Sequence, residues 1–171
     1  MNALELYTLC SELKSRPETS LLKGYKIDLL EGLLSIKPMH KKSPFRDELL
    51  TFCHCHVSGA IELFGGITIL EKVEPTSMGY IIGQIELSEI LISSRSGNII
   101  LRDYVTQNVD AVLAASSLCF LRIIHALIEF EYEILVFNKK VDYCALAKVL
   151  GFLSDNPESE IFYHHYTGCE L

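Results

Sequence analysis

Four consecutive residues, Cys53, His54, Cys55 and His56, offer two thiols and two imidazoles, the groups that bind zinc or serve as nucleophile and base. Their spacing limits both chemistries. On a helix Cys53 and His56 share a face while His54 and Cys55 point elsewhere; on a strand the cysteines pair on one side and the histidines on the other. Either way two ligands converge, whereas a structural zinc needs four, normally from a second knuckle. The other candidates, His164, His165 and Cys169, lack C-x2-C or H-x3-H spacing. The cluster therefore reads as a sulfur-rich helix end, and neither a metal nor a cofactor is expected. A Cys–His nucleophilic pair meets in space and not in sequence, so adjacency is no specific sign of one.

Other catalytic signatures do not occur. The sequence has no G-x-S-x-G elbow, no G-x-x-x-x-G-K-S/T phosphate loop, no G-x-G-x-x-G fingerprint and no H-E-x-x-H. No catalytic residue is assigned. The carboxylates give a sharper expectation. Glu129, Glu131 and Glu133 alternate with Phe130, Tyr132 and Ile134, so an extended segment would present one outward acidic row. Asp155, Glu158 and Glu160 form a second acidic group. Arg122, His125 and Glu129 make a polar stripe on the preceding helix. These residues are the expected binding surface for a basic partner, one or both acidic groups imitating nucleic-acid charge and Tyr132 and Tyr163 supplying aromatic anchors. The competing reading is a solvated face and a helix first turn that favours carboxylates.

Composition agrees with binding to a protein. The chain of 171 residues fits one domain, 1–171, with its own core. It is 49% apolar and only 22% charged, which hints that some surface meets a partner. Fifteen Lys and Arg against 22 Asp and Glu give a net charge of -7, which repels a phosphate backbone. The densest positive run is His40, Lys41 and Lys42. No membrane span is expected, because the longest apolar stretch, Ala111 to Ile128, contains Ser116, Ser117, Arg122 and His125. The first residues lack a basic n-region and carry Glu5 and Glu12, so no secretory leader is expected. Six scattered cysteines, Cys10, Cys53, Cys55, Cys119, Cys144 and Cys169, read as reduced thiols of a cytoplasmic protein.

The elements that must position these residues follow from caps and periodicity. Asn2 with Glu5 forms a capping box; Asp28 with Glu31 and Ser43 with Pro44 mark two further helix starts. From Ile61 the texture becomes β-branched and alternating, with Gly65 and Gly66 as a bend and Arg95 to Asn98 as a hairpin turn. Ser116 or Ser117 caps a helix from Leu118 to about Phe130, after which "EFEYEILVF" reads as a strand or the loop into one. Asp142 caps another helix, and Asn156 with Pro157 opens the last, which Gly168 ends. Helices flanking one antiparallel meander make an α+β domain.

The stretch "YIIGQIELSEILISSRSGNIILRDY" followed by "AASSLCFLRIIHAL" resembles the SUKH superfamily. The matching positions are Gly83, Ile92, Gly97, Ile99, Asp103, Ser116, Ser117, Phe120 and Leu121, within residues 44 to 130, and the last helix ending in "CEL" is compatible. Two departures stand out: "VTQNVDAVLA" is longer than the simplest family pattern, and the chain has no Trp. The resemblance implies a curved, mainly antiparallel sheet with helices packed against it, used most often as a bacterial immunity protein that silences a toxin. Fungal regulators of cell-wall synthesis and viral counter-defence proteins are other relatives. The function expected is thus non-catalytic toxin neutralisation; next comes a regulatory interaction module acting on a cellular or host target, and third a small thiol or metal enzyme.

Overall fold

The structure, a computed structural model, describes residues 1–40 and 42–169. Lys41 of the positive run and the closing Glu170 and Leu171 lie outside the described residues. Among those described, six α-helices and six strands make the expected α+β fold. Helix α1 (Ala3–Ser15) carries the reciprocal cap: the Asn2 side chain accepts from the Glu5 N–H at 2.9 Å, and the Glu5 carboxylate from the Asn2 N–H at 2.8 Å. A 3₁₀ turn (Pro17–Leu21), α2 (Tyr25–Leu33) and α3 (Glu48–His56) follow.

Two helix starts differ from expectation. Asp28 sits inside the first turn of α2, which begins after Gly24. Helix α3 is capped by Asp47 and not Ser43, because the Asp47 carboxylate accepts from both Leu49 and Leu50 N–H, at 2.9 and 3.0 Å. The Ser43 hydroxyl closes a local turn, accepting from the Phe45 N–H and the Thr51 hydroxyl.

Strands β1 (Ala60–Leu63), β2 (Ile67–Thr76), β3 (Gly79–Ile85), β4 (Ser88–Ser93), β5 (Ile99–Asp103) and β6 (Val109–Ala114) each pair antiparallel with the next. Register shifts in β2, in β3 and twice between β5 and β6 bend the sheet. At Gly83 the backbones crowd: a β-carbon there would lie 2.3 Å from the Thr68 carbonyl oxygen. The "VTQNVDAVLA" segment, read as an insertion, is a turn followed by β6. Its alternation is hidden because Asp110 and Leu113 bulge out of a ladder that pairs Arg102 with Val109, Leu101 with Ala111, Ile100 with Val112 and Ile99 with Ala114.

Helix α4 (Ser117–Phe137) is the main correction, since it absorbs the segment expected to be extended. No Gly or Pro interrupts it, and Ile124, Ile128 and Tyr132 continue a buried stripe at four-residue spacing. Ser116 caps it, accepting from the Cys119 N–H, and the left-handed Asn138 ends it. The Lys26 ammonium donates to the Leu135 carbonyl at 2.9 Å and the Asn138 side chain at 2.6 Å, which suits the negative end of the helix. Helices α5 (Tyr143–Ser154) and α6 (Pro157–Thr167) start at Asp142 and Asn156 as expected, and Gly168 ends α6. No helix among the described residues is long and apolar enough to cross a membrane.

Helix α3 packs on β2, α2 and α4 on β1, and α6 along the outer strand β6. That last contact protects a sheet edge. The Ser159 hydroxyl donates to the Val112 carbonyl at 2.6 Å and the Tyr163 hydroxyl to the Leu113 carbonyl at 2.9 Å. Tyr163, expected to anchor a partner, is thus fully buried core. So is Tyr132, whose hydroxyl shares a 2.9 Å hydrogen bond with the Thr19 hydroxyl and whose ring lies under the Arg16 guanidinium.

The expectation of six reduced thiols is corrected as well. Cys144, in the first turn of α5, and Cys169, just past α6, form a disulfide across 5.4 Å between their α-carbons. Sequence spacing could not reveal it, because the pairing depends on how α6 folds back along α5.

Replacing Tyr163 by Phe strands the Leu113 carbonyl in the core, and a loss of about 1–2 kcal/mol is expected. Urea unfolding should record a lower midpoint with an unchanged slope. Cys169→Ser should lower stability by about 3.5 kcal/mol, the chain-entropy value for a loop of this size. Adding reductant to the unaltered protein should reproduce that loss, and adding it to the variant should change nothing further.

Candidate functional site

The cysteine–histidine cluster is the helical alternative. On α3, Cys53 is fully buried and His56 nearly so, stacked on Tyr7 with ring centroids 4.7 Å apart. Burial pushes the Cys53 thiol far up and the His56 imidazole down from its usual pKa, the opposite of an activated thiolate–imidazolium pair. Burial likewise pushes Cys10 up to about 12. His54 is exposed, edge-on to Phe45. With Cys55 it borders a cleft of about 340 Å³ shared with Lys37, Pro38, His40 and Glu71. The Glu71 carboxylate is already engaged, holding the Lys37 ammonium and accepting from the Gly59 N–H at 2.8 Å, contacts that keep its pKa below the ordinary range. Among the described residues no three His, Cys, Asp or Glu side chains are placed to hold a metal ion.

The acidic residues rearrange once α4 is helical. An alternating row cannot form, because residues two apart on a helix point in different directions. Glu129 and Glu133, four apart, stay together on the exposed face, while Glu131 turns inward. Glu129 and Glu133 now line a groove of about 450 Å³ between α4 and α5, joined by Asp142 from the start of α5. Ala126, Phe130 and Leu146 supply an apolar floor, and Ala145 and Val149 the far wall. Lys139 lies 2.9 Å from Glu133, and the His125 imidazole 3.4 Å from Glu129. Asp142 also caps α5, accepting from the Ala145 N–H at 2.9 Å. The two exposed pairs at Glu133 and Glu129 hold little energy, about 0–1 kcal/mol each, so an incoming cation can replace them.

The remaining expected residues lie elsewhere. Arg122 is exposed on α4, one turn before Ala126. Asp155 ends α5, at the opposite end of that helix from Asp142, and Glu158 and Glu160 occupy the first turn of α6. A helix of twelve residues is about 18 Å long, so the two acidic groups cannot act as one site. The carboxylates of α6 sit where the helix dipole favours them, and Glu160 also packs on Gly151 and reaches to 3.9 Å from the His164 ring.

Sequence reasoning missed the apolar half of the groove. Helix α5, "YCALAKVLGFLS", carries a single charged residue and is apolar nearly all round, yet Val149 and Phe152 are exposed, Phe152 by 85%. A helix that is apolar nearly all round, with Lys148 its one charge, is the signal in the sequence that could have found it.

Behind the groove stands Glu131. Its carboxylate accepts from the Phe64 N–H at the turn between β1 and β2. Phe64 stacks on Tyr143, with centroids 5.5 Å apart, and meets Phe130 and Tyr166 edge-on. Tyr166 occupies the space that a side chain at Gly65 would need: a β-carbon there would be 2.5 Å from its ring, and Gly65 has φ 68°. Burial raises the Glu131 pKa to about 7, and the Phe64 hydrogen bond opposes the rise. Phe130 thus belongs both to this aromatic box and to the groove floor.

Compared with protein-family models, with curated proteins and with solved structures, the chain matches none.

Because the folded pKa of Glu131 lies above the ordinary 4.5, the folded state retains a proton that the unfolded chain loses between pH 4.5 and 7. Stability from this group is complete below that window and falls as pH rises through it. Glu131→Gln keeps an acceptor for the Phe64 N–H without the charge. Urea titrations from pH 4.5 to 8 should find the variant similar to the unaltered protein at the acid end and more stable at pH 8; parallel profiles would contradict the assignment.

Proposed function

We propose that this chain is a non-catalytic binding module of the immunity-protein kind, which neutralises a basic toxin domain by seating a cationic segment in the groove between α4 and α5. The observation that carries this reading is the groove itself: Glu129, Glu133 and Asp142 rim an apolar floor on a protein of net charge -7. Carboxylates around an apolar floor suit an amphipathic basic segment. The charges speed encounter and exclude acidic competitors, and Phe130, Leu146 and Val149 of the lining supply desolvated contact area. Protonated, buried thiols support a non-catalytic role. The SUKH resemblance belongs to this proposal on its sequence motifs, together with the six-strand antiparallel meander and the Ser116-capped helix after it. We assign the working compartment as one that leaves Cys144–Cys169 oxidised, in place of the reducing cytoplasm that scattered cysteines suggested.

The test is co-expression with a toxin domain encoded beside this gene, comparing the unaltered chain with Glu129→Lys/Glu133→Lys. The unaltered chain should protect cells and co-purify with the toxin, and the double variant should bind about tenfold to a hundredfold more weakly, about 1.4–2.7 kcal/mol. Undiminished protection by the double variant would reject the groove as the site. Absence of any complex with the unaltered chain would reject the immunity reading and favour a regulatory interaction module.

A further inference from the structure

We propose that the adjoining tips of the β3–β4 and β5–β6 hairpins form a second docking surface, which takes a cationic side chain flanked by apolar residues of a protein partner. The two tips touch, the Tyr104 N–H donating to the Leu87 carbonyl at 3.2 Å. They hold four large apolar side chains out of the fold: Leu87 is 79% exposed, Tyr104 65% and Val105 80%, with Val109 at the base of the second tip also exposed. Single exposed apolar residues need no explanation, but a contiguous set does.

Turn chemistry sharpens the point. The β4–β5 turn at the other end of the sheet follows the usual rule, with Ser94, Arg95 and Ser96 exposed and Gly97 at φ 77°. The two tips break it. Glu86 and Gln107 adopt left-handed conformations (φ 49° and 61°) that Gly or Asn would fill with less strain. Beside them Leu87, Tyr104 and Val105 stand where polar residues are usual. Local rules broken without compensating burial are characteristic of functional surfaces.

Charge names the occupant. From Gly79 to Ala114 the chain has four carboxylates, Glu86, Glu89, Asp103 and Asp110, and two cations, Arg95 and Arg102. Arg95 is at the opposite turn. Arg102 is 5% exposed and paired with Glu89, so Glu86, Asp103 and Asp110 leave the tips negative. Asp103 accepts from the Val105 and Thr106 N–H groups, at 2.9 and 2.5 Å, which holds it ionised. Between the tips lies a cleft of about 250 Å³ lined by Gln84, Glu86, Leu87, Ser88, Glu89 and Tyr104. A guanidinium or ammonium group entering it would meet the Glu86 carboxylate and the Tyr104 ring while its apolar neighbours cover Leu87 and Val105. A second copy of this chain would bring like charges together, and an anionic membrane would be repelled.

The probe is a synthetic peptide alternating Leu and Arg, titrated into the ¹⁵N-labelled protein, with a Leu–Glu peptide as control. Amide shifts at 84–89 and 103–109 are expected for the Leu–Arg peptide only, separate from any that the same peptide causes along the α4–α5 groove. Affinity should fall about tenfold or more in Leu87→Ser/Tyr104→Ser, and similarly in Val105→Ser, whose side chain lies wholly outside the core. Glu129→Lys/Glu133→Lys should leave these shifts unchanged, which separates this surface from the α4–α5 groove. Equal binding of both peptides, no shifts at the tips, tip shifts lost in Glu129→Lys/Glu133→Lys, unchanged affinity in the tip variants, or concentration-dependent self-association lost in those variants would each overturn the proposal.

Discussion

The carboxylate of Glu131 and the N–H of Phe64 tie the β1–β2 turn to the middle of α4, and the groove with the aromatic box behind it depends on that contact. Phe64 begins the turn between β1 and β2, where Gly65 and Gly66 both take left-handed conformations and the ladder cannot supply an acceptor. Phe64 is half-buried, and a buried N–H left alone costs about 1–3 kcal/mol, the upper limit for this one. Glu131 satisfies it from the middle of α4, and Tyr166 of α6 closes over Gly65 from the other side. One turn therefore meets both α4 and α6. The same turn sets Phe64 between Phe130 and Tyr143, which carry the groove floor and the first turn of α5.

That dependence explains which parts of the fold are legible in sequence. The meander, its Arg95–Asn98 turn and the caps at Asn2, Ser116, Asp142, Asn156 and Gly168 are local: each needs only a few neighbouring residues, and each is readable. "EFEYEILVF" misleads because alternation within nine residues also fits a helix, and the deciding stripe, Ile124, Ile128 and Tyr132, begins before it. Strand β6 escapes notice because its bulges break the two-residue period at Asp110 and Leu113. The disulfide and the inward turn of Glu131 depend on segments far apart in the chain, which no local pattern records.

The candidate site is half legible for the same reason. Glu129 and Glu133 read as a pair of binding carboxylates in the sequence, and they remain one because four residues is a helical repeat as well as a multiple of two. Glu131 fails that coincidence and becomes structural. Tyr132 and Tyr163 look like aromatic anchors, but each hydroxyl finds an internal partner, Thr19 and the Leu113 carbonyl, so both rings can be buried without stranding a polar group. Among the described aromatic residues Phe152 is left the most exposed, and it has no polar atom to satisfy.

Net charge and apolar surface act over different distances. Charges on opposite sides of the molecule are screened beyond about 8 Å at physiological salt, so a total of -7 biases encounter with basic partners without choosing a landing site. The landing site is chosen by apolar area that water leaves on contact. Here that area is concentrated along α5 and at the paired hairpin tips, and each patch is edged by carboxylates. Helix α5 can remain this apolar because its ends are held independently of its outer face, by the Asp142 cap and the Cys144–Cys169 bond at one end and the Gly151–Glu160 packing near the other. A helix restrained in this way presents Val149 and Phe152 without burying them, so little backbone entropy remains to be lost when a partner covers them.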